Sequence, residues 1–528
     1  MFTLQNISYF HPNRDLLFRN ISFTVNKNTK AALVGNNGAG KSTLLRIMAK
    51  ELEPSEGSLI TEASAYYVPQ VFGQFNHLTV AEALNIDRKL RALHEILKGN
   101  VTEGLYEALN DDWTVEDRCR EALEYWKLSE IDLFQKMDTL SGGQKTKVFL
   151  AGIHIHRPEL ILLDEPSNHL DIQGRQLLYD FIVSTGSTVL VVSHDRVLLN
   201  LLDVIYELDR RGITTYGGTY NFFCEQKRLE AASLAHDVLS KEKELKKARE
   251  KERETQERQQ KADARGRKKQ EKAGVARIMM NTLRNGAENS TARLKGVHEE
   301  KIGVISQELR ALRTGLPGID KIQFGFGVSS IPNGKMLFRA EQLNYRYEKA
   351  NLWQEGLTFQ IVSGDRVTLK GANGSGKTTL IRMLMGEWEA FEGVLTRTQV
   401  KPVYIDQDYS GIQPGITVYK QAQAANTDSL PEHEVKTKLS QFLFTSHEWN
   451  KPCESLSGGE RMRLLLCCLT ISIKAPDVII LDEPTNNLDV QNIEILTKAI
   501  NEFKGTLIVV SHDASFLNDI NIVKNIII

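Results

Sequence analysis

Two octapeptides of the same pattern lie 336 positions apart in this chain. Gly35–Ser42 and Gly371–Thr378 both match G-x-x-x-x-G-K-[ST], and each follows an apolar run and precedes a stretch with helical spacing. In a strand–loop–helix setting, backbone N–H groups of such a loop point at nucleotide phosphates, the lysine reaches the β/γ-phosphates and the hydroxyl contacts Mg²⁺. Each copy therefore predicts a nucleotide-binding site. The residues expected to contact the nucleotide here are Gly35, Asn36, Asn37, Gly38, Ala39, Gly40, Lys41, Ser42, Thr43, Gly371, Ala372, Asn373, Gly374, Ser375, Gly376, Lys377, Thr378 and Thr379.

The repeat extends well beyond these loops. Asp164 and His194 are 30 positions apart, and Asp482 and His512 have the same separation. A repeat period of more than 300 residues is far longer than that of a solenoid, so it predicts two duplicated domains.

Two further motifs stand in the same order in each half. Leu140–Gln144 (LSGGQ) and Leu456–Glu460 (LSGGE) precede apolar runs that end in Asp-Glu-Pro at 164–166 and 482–484. With this set of motifs, both halves resemble the ATP-binding cassette (ABC) superfamily. The resemblance implies an α/β fold with two P-loop ABC domains, and ATP with Mg²⁺ as cofactors.

The segment between the repeats has a different character. From Lys241 to Lys272 there are 14 Lys/Arg and 8 Asp/Glu, and Leu245 is the one large apolar residue. Apolar residues at roughly helical spacing predict an antiparallel helix pair, with a charged tip from about 249 to 295. These residues are Leu229, Ala232, Ala235, Val238, Leu239 and Leu245 before the tip, and Ile302, Ile305, Leu309 and Leu312 after it. We expect a first ABC domain at 1–222, a charged helical linker at 223–313 and a second ABC domain at 314–528.

A charged linker is ambiguous by itself, because charge runs are usually solvated faces and this one could be only a tether. Two cassettes, a long basic linker and no apolar window of ~18–20 residues nevertheless resemble the ABC-F family, whose members act on ribosomes. That resemblance implies a ribosome partner near the tRNA exit site, with the linker beside rRNA and P-site tRNA and with Ile278–Leu283 at its tip. It also implies cassettes that pair intramolecularly in a monomer, and no transmembrane partner. The extra length of the first half, around Asp87–Cys119, resembles the arm of this family, and an ordinary surface insertion is the alternative.

Composition is compatible with this family. The net charge of −1 over 528 residues argues against a basic nucleic-acid coat protein. The first residues lack the basic and apolar regions of a secretory signal, and the five cysteines have no metal-ligand spacing. We expect a cytoplasmic protein with reduced cysteines.

The resemblance assigns roles to polar residues that both halves share. Hydrolysis requires charge stabilisation around the γ-phosphate and a positioned water. The aspartates that end the apolar strands are expected to hold Mg²⁺ through water, and the glutamates that follow them are expected to act as general bases. The expected catalytic residues are Glu165, Glu483, His194, His512, Gln70 and Gln407, and the expected metal-site residues are Ser42, Thr378, Gln70, Gln407, Asp164 and Asp482.

The Ser-Gly-Gly motifs resemble ABC signatures, which bind the γ-phosphate of the nucleotide held by the opposite cassette. One composite site would combine Lys41, Asp164 and Glu165 with Ser457 and Gly459. The other would combine Lys377, Asp482 and Glu483 with Ser141 and Gly143. The signature residues are Ser141, Gly142, Gly143, Gln144, Ser457, Gly458, Gly459 and Glu460. Two positions depart from the pattern: Glu460 replaces the usual glutamine, and His11 stands where Tyr347 would stack on adenine.

The first hypothesis is therefore an ATP-hydrolysing ABC-F protein that binds the ribosome to regulate translation or to protect it from antibiotics. Both kinds of protein would share every motif named above. The alternative is the cytosolic ATPase subunit of an ABC transporter with separate membrane subunits, which does not need the long charged linker. A DNA-associated ATPase of this superfamily would carry long coiled coils or zinc-ligand clusters inside its cassettes, and the sequence contains neither.

Overall fold

The computed structural model describes fourteen stretches of the chain. They are residues 2–11, 15–61, 64–209, 212–272, 296–297, 299–313, 324–326, 331–347, 350–372, 374–400, 402–427, 429–472, 476–486 and 488–528. The chain divides into two compact units: Met1–Phe223 together with Lys321–Ile528, and Cys224–Asp320. The first unit holds both repeated halves, and the second holds the helical segment between them.

The first half is built on a six-stranded sheet in the order β5-β6-β7-β3-β8-β9, in which only the last pairing is antiparallel. A second, antiparallel sheet has the order β2-β1-β4. The central strands are continuous apolar runs because a parallel sheet is covered on both faces. The strands are β1 (Phe2–Phe10), β2 (Leu16–Val25), β3 (Lys30–Val34), β4 (Glu56–Thr61), β5 (Ala65–Val68), β6 (Leu160–Asp164), β7 (Thr188–Val192), β8 (Val204–Asp209) and β9 (Gly212–Gly217).

Helices cover the parallel sheet of the first half. They are α1 (Lys41–Met48), α2 (Val80–Ala83), α3 (Asp87–Leu97), α4 (Glu103–Leu109), α5 (Val115–Tyr125), α6 (Gly142–His156), α7 (Ile172–Ser184) and α8 (Arg196–Leu199), with 3₁₀ turns at Gly73–Phe75 and Met137–Thr139. The stretch expected to be an arm or a surface insertion, 87–119, forms α3, α4 and the first part of α5.

The second half repeats this plan. Its parallel sheet has the order β16-β17-β18-β14-β19, and its antiparallel sheet has the order β13-β10-β15. Its strands are β10 (Met336–Asn344), β11 (Arg346–Tyr347), β12 (Ala350–Asn351), β13 (Leu357–Val362), β14 (Arg366–Lys370), β15 (Glu392–Arg397), β16 (Pro402–Ile405), β17 (Val478–Asp482), β18 (Thr506–Val510) and β19 (Lys524–Ile527). Its helices are α11 (Lys377–Met385), α12 (Val418–Ala424), α13 (Glu432–Gln441), α14 (Gly458–Ile471), α15 (Val490–Glu502) and α16 (Ala514–Asp519), with a 3₁₀ turn at Cys453–Ser455.

The helical unit consists of α9 (Tyr220–Lys272) and a second helix, α10 (299–313). Ion pairs tie them together: Lys241 Nζ lies 2.8 Å from Glu308 Oε2, and Arg313 Nη2 lies 2.6 Å from Glu242 Oε1. The expected charged tip, 249–295, lies outside the described residues from 273 onward, and the island at 278–283 does so entirely.

The apolar face of this helix pair is narrower than the sequence predicts. Val238, Ile305 and Leu309 are buried, whereas Leu229 and Leu239 are 58 % and 56 % exposed. The prediction was wrong for these two leucines because, at about 100° per residue, Leu239 is rotated by about 100° and Leu229 by about 180° from the Val238 face. No helix in the described part of the chain is both long and apolar enough to cross a bilayer.

Candidate nucleotide sites

Each Gly-rich loop joins a buried strand to the first turn of a helix. In the first loop, Gly40 precedes α1 with φ of 97°, a backbone conformation that favours glycine. Lys41 Nζ folds back and donates to the carbonyl oxygens of Gly35 (2.8 Å) and Asn36 (3.1 Å). Lys377 Nζ makes the same two contacts in the second loop, each 2.9 Å long.

Burial lowers the pKa of both P-loop lysines, while the fields of nearby carboxylates act in the opposite direction. A cation held near buried carboxylates and loop amides is suited to bind an anion with several charges.

The aspartates that end β6 and β17 face the loop hydroxyls. Tyr67 Oη donates to Asp164 (3.1 Å), and Tyr404 Oη donates to Asp482 (2.9 Å). Burial raises the pKa of Asp164, against hydrogen bonds from Ser42 and Tyr67. Burial also raises the pKa of Asp482, where hydrogen bonds from Tyr404 and Thr378 are among the opposing causes.

The glutamates after these aspartates are held in an unusual backbone conformation. Glu165 and Glu483 have φ of 51° and 47°, and their N–H groups donate to Val192 O and Val510 O, both at 2.8 Å. This conformation ties each glutamate to the neighbouring strand. An imidazole lies beside each of these glutamates. His194 Nε2 is 3.3 Å from Glu165 Oε1, and His512 Nε2 is 3.4 Å from Glu483 Oε1.

The protonation of these pairs follows from their burial. Burial lowers the pKa of His194 to about 3 and that of His512 to about 4, so both imidazoles are neutral near pH 7. Burial raises the pKa of Glu483 to about 7, and burial together with Asp164 raises that of Glu165. A carboxylate with a raised pKa is a stronger proton acceptor.

The two predicted glutamines have equivalent positions in the two halves, whereas the two predicted base-stacking residues have different contacts. Gln70 and Gln407 follow β5 and β16, which pair in parallel with the strands that end in the aspartates. Tyr347 Oη is 3.0 Å from Thr379 Oγ1. His11 packs edge-on against Tyr9, with ring centroids 5.8 Å apart.

Both signature motifs begin a helix with the same cap. The Ser141 side chain accepts from Gln144 N while Gln144 Oε1 accepts from Ser141 N. Ser457 and Glu460 make the same reciprocal pair, so glutamate preserves the cap in place of glutamine. Lys451 Nζ also donates to Glu460 Oε1 (2.9 Å) and neutralises the added charge.

A chain of contacts connects the first loop to the second signature helix. Asn37 N–H donates to Asp489 Oδ2 (3.1 Å) across the two halves, and Asp489 Oδ1 accepts from the backbone N and the side chain of Asn492. The Asn492 side chain lies where a Cβ on Gly459 would be, so only glycine fits there. A residue of the first half likewise acts on the second phosphate loop: the negative charge of Asp171 raises the pKa of Lys377, against the larger effect of burial.

The sequence analysis missed four residues of these sites: Tyr67, Tyr404, Asp171 and Asp489. The repeat contains a signal for each of them. Both tyrosines stand three residues before the predicted glutamines, and both aspartates stand seven residues after the predicted metal-site aspartates. Asn373 of the second loop lies outside the described residues.

The donor set fits ATP with Mg²⁺. Several buried carboxylate oxygens have no hydrogen-bond partner among the described residues. These atoms are Asp164 Oδ1, Glu165 Oε1, Glu483 Oε1 and Glu483 Oε2. Orphaned buried acceptors next to a phosphate-binding loop are suited to a hydrated divalent cation and to a water molecule.

Comparisons with known proteins agree with this geometry. The family model described as "ABC transporter" matches residues 18–168 and 354–486. The chain is 30 % identical to the "Putative ATP-binding protein YdiF" of Bacillus subtilis (strain 168), over 96 % of this chain and 77 % of the relative. It is also 30 % identical to the "ATP-binding protein Uup" of Escherichia coli (strain K12), over 95 % of this chain and 76 % of the relative. The chain belongs to the ABC-F family.

Solved structures show the same fold. The archaeal ribosome recycling factor aABCE1, in complex with the stalk protein aP1, has a TM-score of 0.59 at 19 % identity, over 98 % of this chain and 86 % of that one. A structure titled "RNase-L Inhibitor" has a TM-score of 0.58 at 20 % identity, with the same coverage. The predicted fold class, two P-loop ABC domains joined by a helical linker, is confirmed. ATP binding and ATPase activity are general properties of such ABC domains.

Proposed function

We propose that this ABC-F chain hydrolyses ATP at two composite sites between its cassettes and binds the ribosome in its ATP-bound state. The contact from Asn37 to Asp489 carries the first part of the proposal. It brings an amide of one phosphate loop to the loop that precedes α15 of the other cassette, and Asn492 links that loop to the second signature helix.

The residues of each site divide the work of hydrolysis. The P-loop lysine and loop amides bind the phosphates, and the buried aspartate with the loop hydroxyl would hold Mg²⁺. Bound Mg²⁺ would supply neutralisation of the phosphate charge. Glu165 and Glu483 accept the proton of the attacking water, because each has a buried oxygen without another partner. A neutral imidazole lies beside each of these carboxylates, with Nε2 of His194 and His512 3.3 and 3.4 Å from the nearest carboxylate oxygen.

The helical unit supports the second part of the proposal. Helices α9 and α10 pack against each other through a short apolar face. Lysines and arginines of α9 remain exposed: the side chain of Arg253 is 82 % exposed and that of Arg258 is 83 % exposed. RNA phosphates are the partner that an excess of exposed cations on a helix fits best. From the ABC-F resemblance, the proposed binding position on the ribosome is near the tRNA exit site, with the linker tip beside P-site tRNA. A cytoplasmic location is also part of this proposal. One protein of this fold is titled a ribosome recycling factor, and that likeness extends to the fold alone.

Ribosome pelleting tests the proposal. The Glu165→Gln/Glu483→Gln chain, mixed with ribosomes and ATP, should co-sediment at a higher salt concentration than it does without ATP. Changing four exposed α9 lysines, Lys243, Lys246, Lys247 and Lys251, to glutamine should lower the salt midpoint, because phosphate contacts release counterions.

A matched control removes the same charge elsewhere. Changing Lys27, Lys127, Lys420 and Lys504, which are exposed on the cassettes, to glutamine should shift the midpoint much less. Equal shifts in the two quadruple variants would reduce the linker to a tether. If ATP did not affect sedimentation at all, the ribosome would be the wrong partner, and the transporter-subunit alternative would gain support.

A further inference from the structure

Arg175 lies in α7 of the first cassette, four residues after the cap residue Asp171. Its side chain is only 13 % exposed. Three groups of the same cassette set its position. Nε donates to Leu170 O (3.3 Å), Nη1 lies 3.8 Å from Asp195 Oδ2, and that same oxygen accepts a hydrogen bond from Tyr179 Oη.

The guanidinium reaches out of its own cassette. Arg175 Nη1 donates to the backbone carbonyl oxygen of His512 at 3.4 Å. Arg175 and His512 also line a cavity together with Gly371, the first residue of the second phosphate loop. The arginine of one cassette therefore holds the backbone that carries the histidine of the other.

That backbone positions the groups around Glu483. The His512 Nε2 atom is 3.4 Å from Glu483 Oε1, and the backbone N–H of His512 is among the groups that lower the pKa of that carboxyl. The positive charge of Arg175 also acts on Glu483, since it lowers the pKa of that carboxyl against the larger effect of burial. A shift of the 511–513 backbone would move the histidine ring and the backbone donor together.

The corresponding position of the second cassette cannot make this contact with the first site. Asp489 caps α15 as Asp171 caps α7, and the residue four positions after Asp489 is Ile493. Ile493 is buried and has no hydrogen-bond donor. The carbonyl of His194 therefore cannot be held from this position of the opposite cassette.

We propose that Arg175 is a positioning residue, supplied by the first cassette, for hydrolysis at the site built on Lys377, and that it makes the two sites unequal. Closure of the cassettes brings the guanidinium onto the His512 carbonyl and orders the histidine and the carboxylate around the attacking water. This inference rests on the proposed hydrolysis at that site.

Turnover measured one site at a time tests this role, using the purified full-length chain without ribosomes. Glu165→Gln leaves turnover to the site built on Lys377, and Glu483→Gln leaves it to the other site. In the Glu165→Gln chain, Arg175→Leu should lower kcat about 3- to 10-fold with KM changed less than about twofold, because a long hydrogen bond from a charged donor is lost. The loss should be at least threefold smaller in the Glu483→Gln chain. Arg175→Lys should recover part of kcat, since a lysine keeps a charged donor.

Arg196→Leu is the matched control. It removes another arginine contact between the cassettes, Arg196 Nη1 to Asp519 Oδ2 (3.0 Å), without touching the His512 carbonyl. Equal losses in the two backgrounds, or the same loss in Arg196→Leu, would reject a role specific to His512.

Hydrogen exchange provides a readout that does not depend on turnover. In ATP, the peptide 509–516 should exchange several-fold faster in Arg175→Leu than in Arg196→Leu, and equal exchange would overturn the inference. If the Glu165→Gln chain with Arg175 intact shows no turnover, the proposed hydrolysis at this site fails, and the exchange measurement still decides the role of Arg175.

Discussion

At the scale of single residues, burial decides the chemistry of both sites. Glu165 and Glu483 are ordinary acids in sequence, yet they lie in a backbone conformation that directs them to the end of the sheet. Loss of solvation raises the pKa of each carboxyl and keeps the neighbouring histidines neutral. Each pair therefore places a carboxyl with a raised pKa beside a neutral imidazole.

Removing both acceptors is the most direct test of this arrangement. The Glu165→Gln/Glu483→Gln chain should bind ATP as the parent does, while its turnover falls by ~10²–10⁴-fold. Phosphate release and equilibrium nucleotide binding measure the two quantities separately. A double variant that hydrolyses ATP at nearly the parental rate would show that neither glutamate is the base.

The two predicted base-stacking residues, Tyr347 and His11, should contribute unequally to nucleotide binding. Tyr347 packs against Tyr345 and Trp388, whose own rings stack 5.1 Å apart, whereas His11 packs against Tyr9. A pre-ordered ring loses less freedom when a base stacks on it, so Tyr347→Ala should weaken nucleotide binding at the second site by about 1–3 kcal/mol. Titration of a fluorescent ATP analogue into Lys41→Ala chains measures this. A smaller loss of nucleotide affinity is expected for His11→Ala, measured in Lys377→Ala chains. A loss equal to or larger than that of Tyr347→Ala would show that His11 contributes at least as much as Tyr347.

At the scale of elements, the parallel sheets bring the motifs together. Each loop, acidic pair and histidine follows a different strand, and the carboxyl ends of parallel strands lie along one edge. Outside these sites, a single carboxylate contacts both α3 and α5. Asp112 accepts from Arg118 (2.6 and 2.8 Å) and from Lys89 (2.8 Å), which ties the two helices to each other.

Asp112→Asn should lower the free energy of unfolding by about 1–3 kcal/mol, the range for hydrogen bonds to charged groups. Hydrogen bonds from Arg118 lower the pKa of Asp112 to about 2, below its ordinary value near 3.9. Because the pKa of Asp112 is lower in the folded than in the unfolded state, its ionised carboxylate stabilises the folded state above pH ~4. This contribution is lost as the pH falls toward 2. Urea unfolding of the parent chain and of Asp112→Asn, measured from pH 7 to pH 3, should show that the difference between their free energies of unfolding decreases as the pH falls. Asp117→Asn, on the exposed side of α5, is the control and should change little at any pH.

At the scale of the whole molecule, polar contacts join the two cassettes. The first unit holds both cassettes, and polar contacts such as Asn37 to Asp489 and Arg196 to Asp519 join them. The helical unit is separate from that core by composition and by contacts. The proposed function therefore assigns hydrolysis to one unit and partner binding to the other.

Crossed variants test which signature serves which loop. Ser141→Arg should block the site built on Lys377, because a bulky cation at the helix start would occupy the position facing the γ-phosphate. Combined with Lys41→Ala it should silence both sites, whereas combined with Lys377→Ala it should spare the site built on Lys41. Steady-state ATPase rates of the two double variants decide the matter, and equal residual rates would exclude the crossed arrangement.

The sequence by itself determined the family, the two cassettes and most of the polar groups at their sites. The reason is local: a phosphate loop, a capping box and an apolar strand ending in Asp-Glu each need particular residues at short spacing. The repeat supports the same assignment, because Asp164–His194 and Asp482–His512 share one separation.

Only the tertiary structure decided which groups meet across the cassettes and which apolar residues of the linker are covered. Asp489 and Arg175 are ordinary charged residues of a helix start until the second cassette lies opposite them. Leu229 and Leu239 look like core positions in sequence, yet the face of α9 that includes Val238 leaves them exposed. Contacts between distant segments depend on how buried surfaces fit together, and short-range patterns do not contain that information.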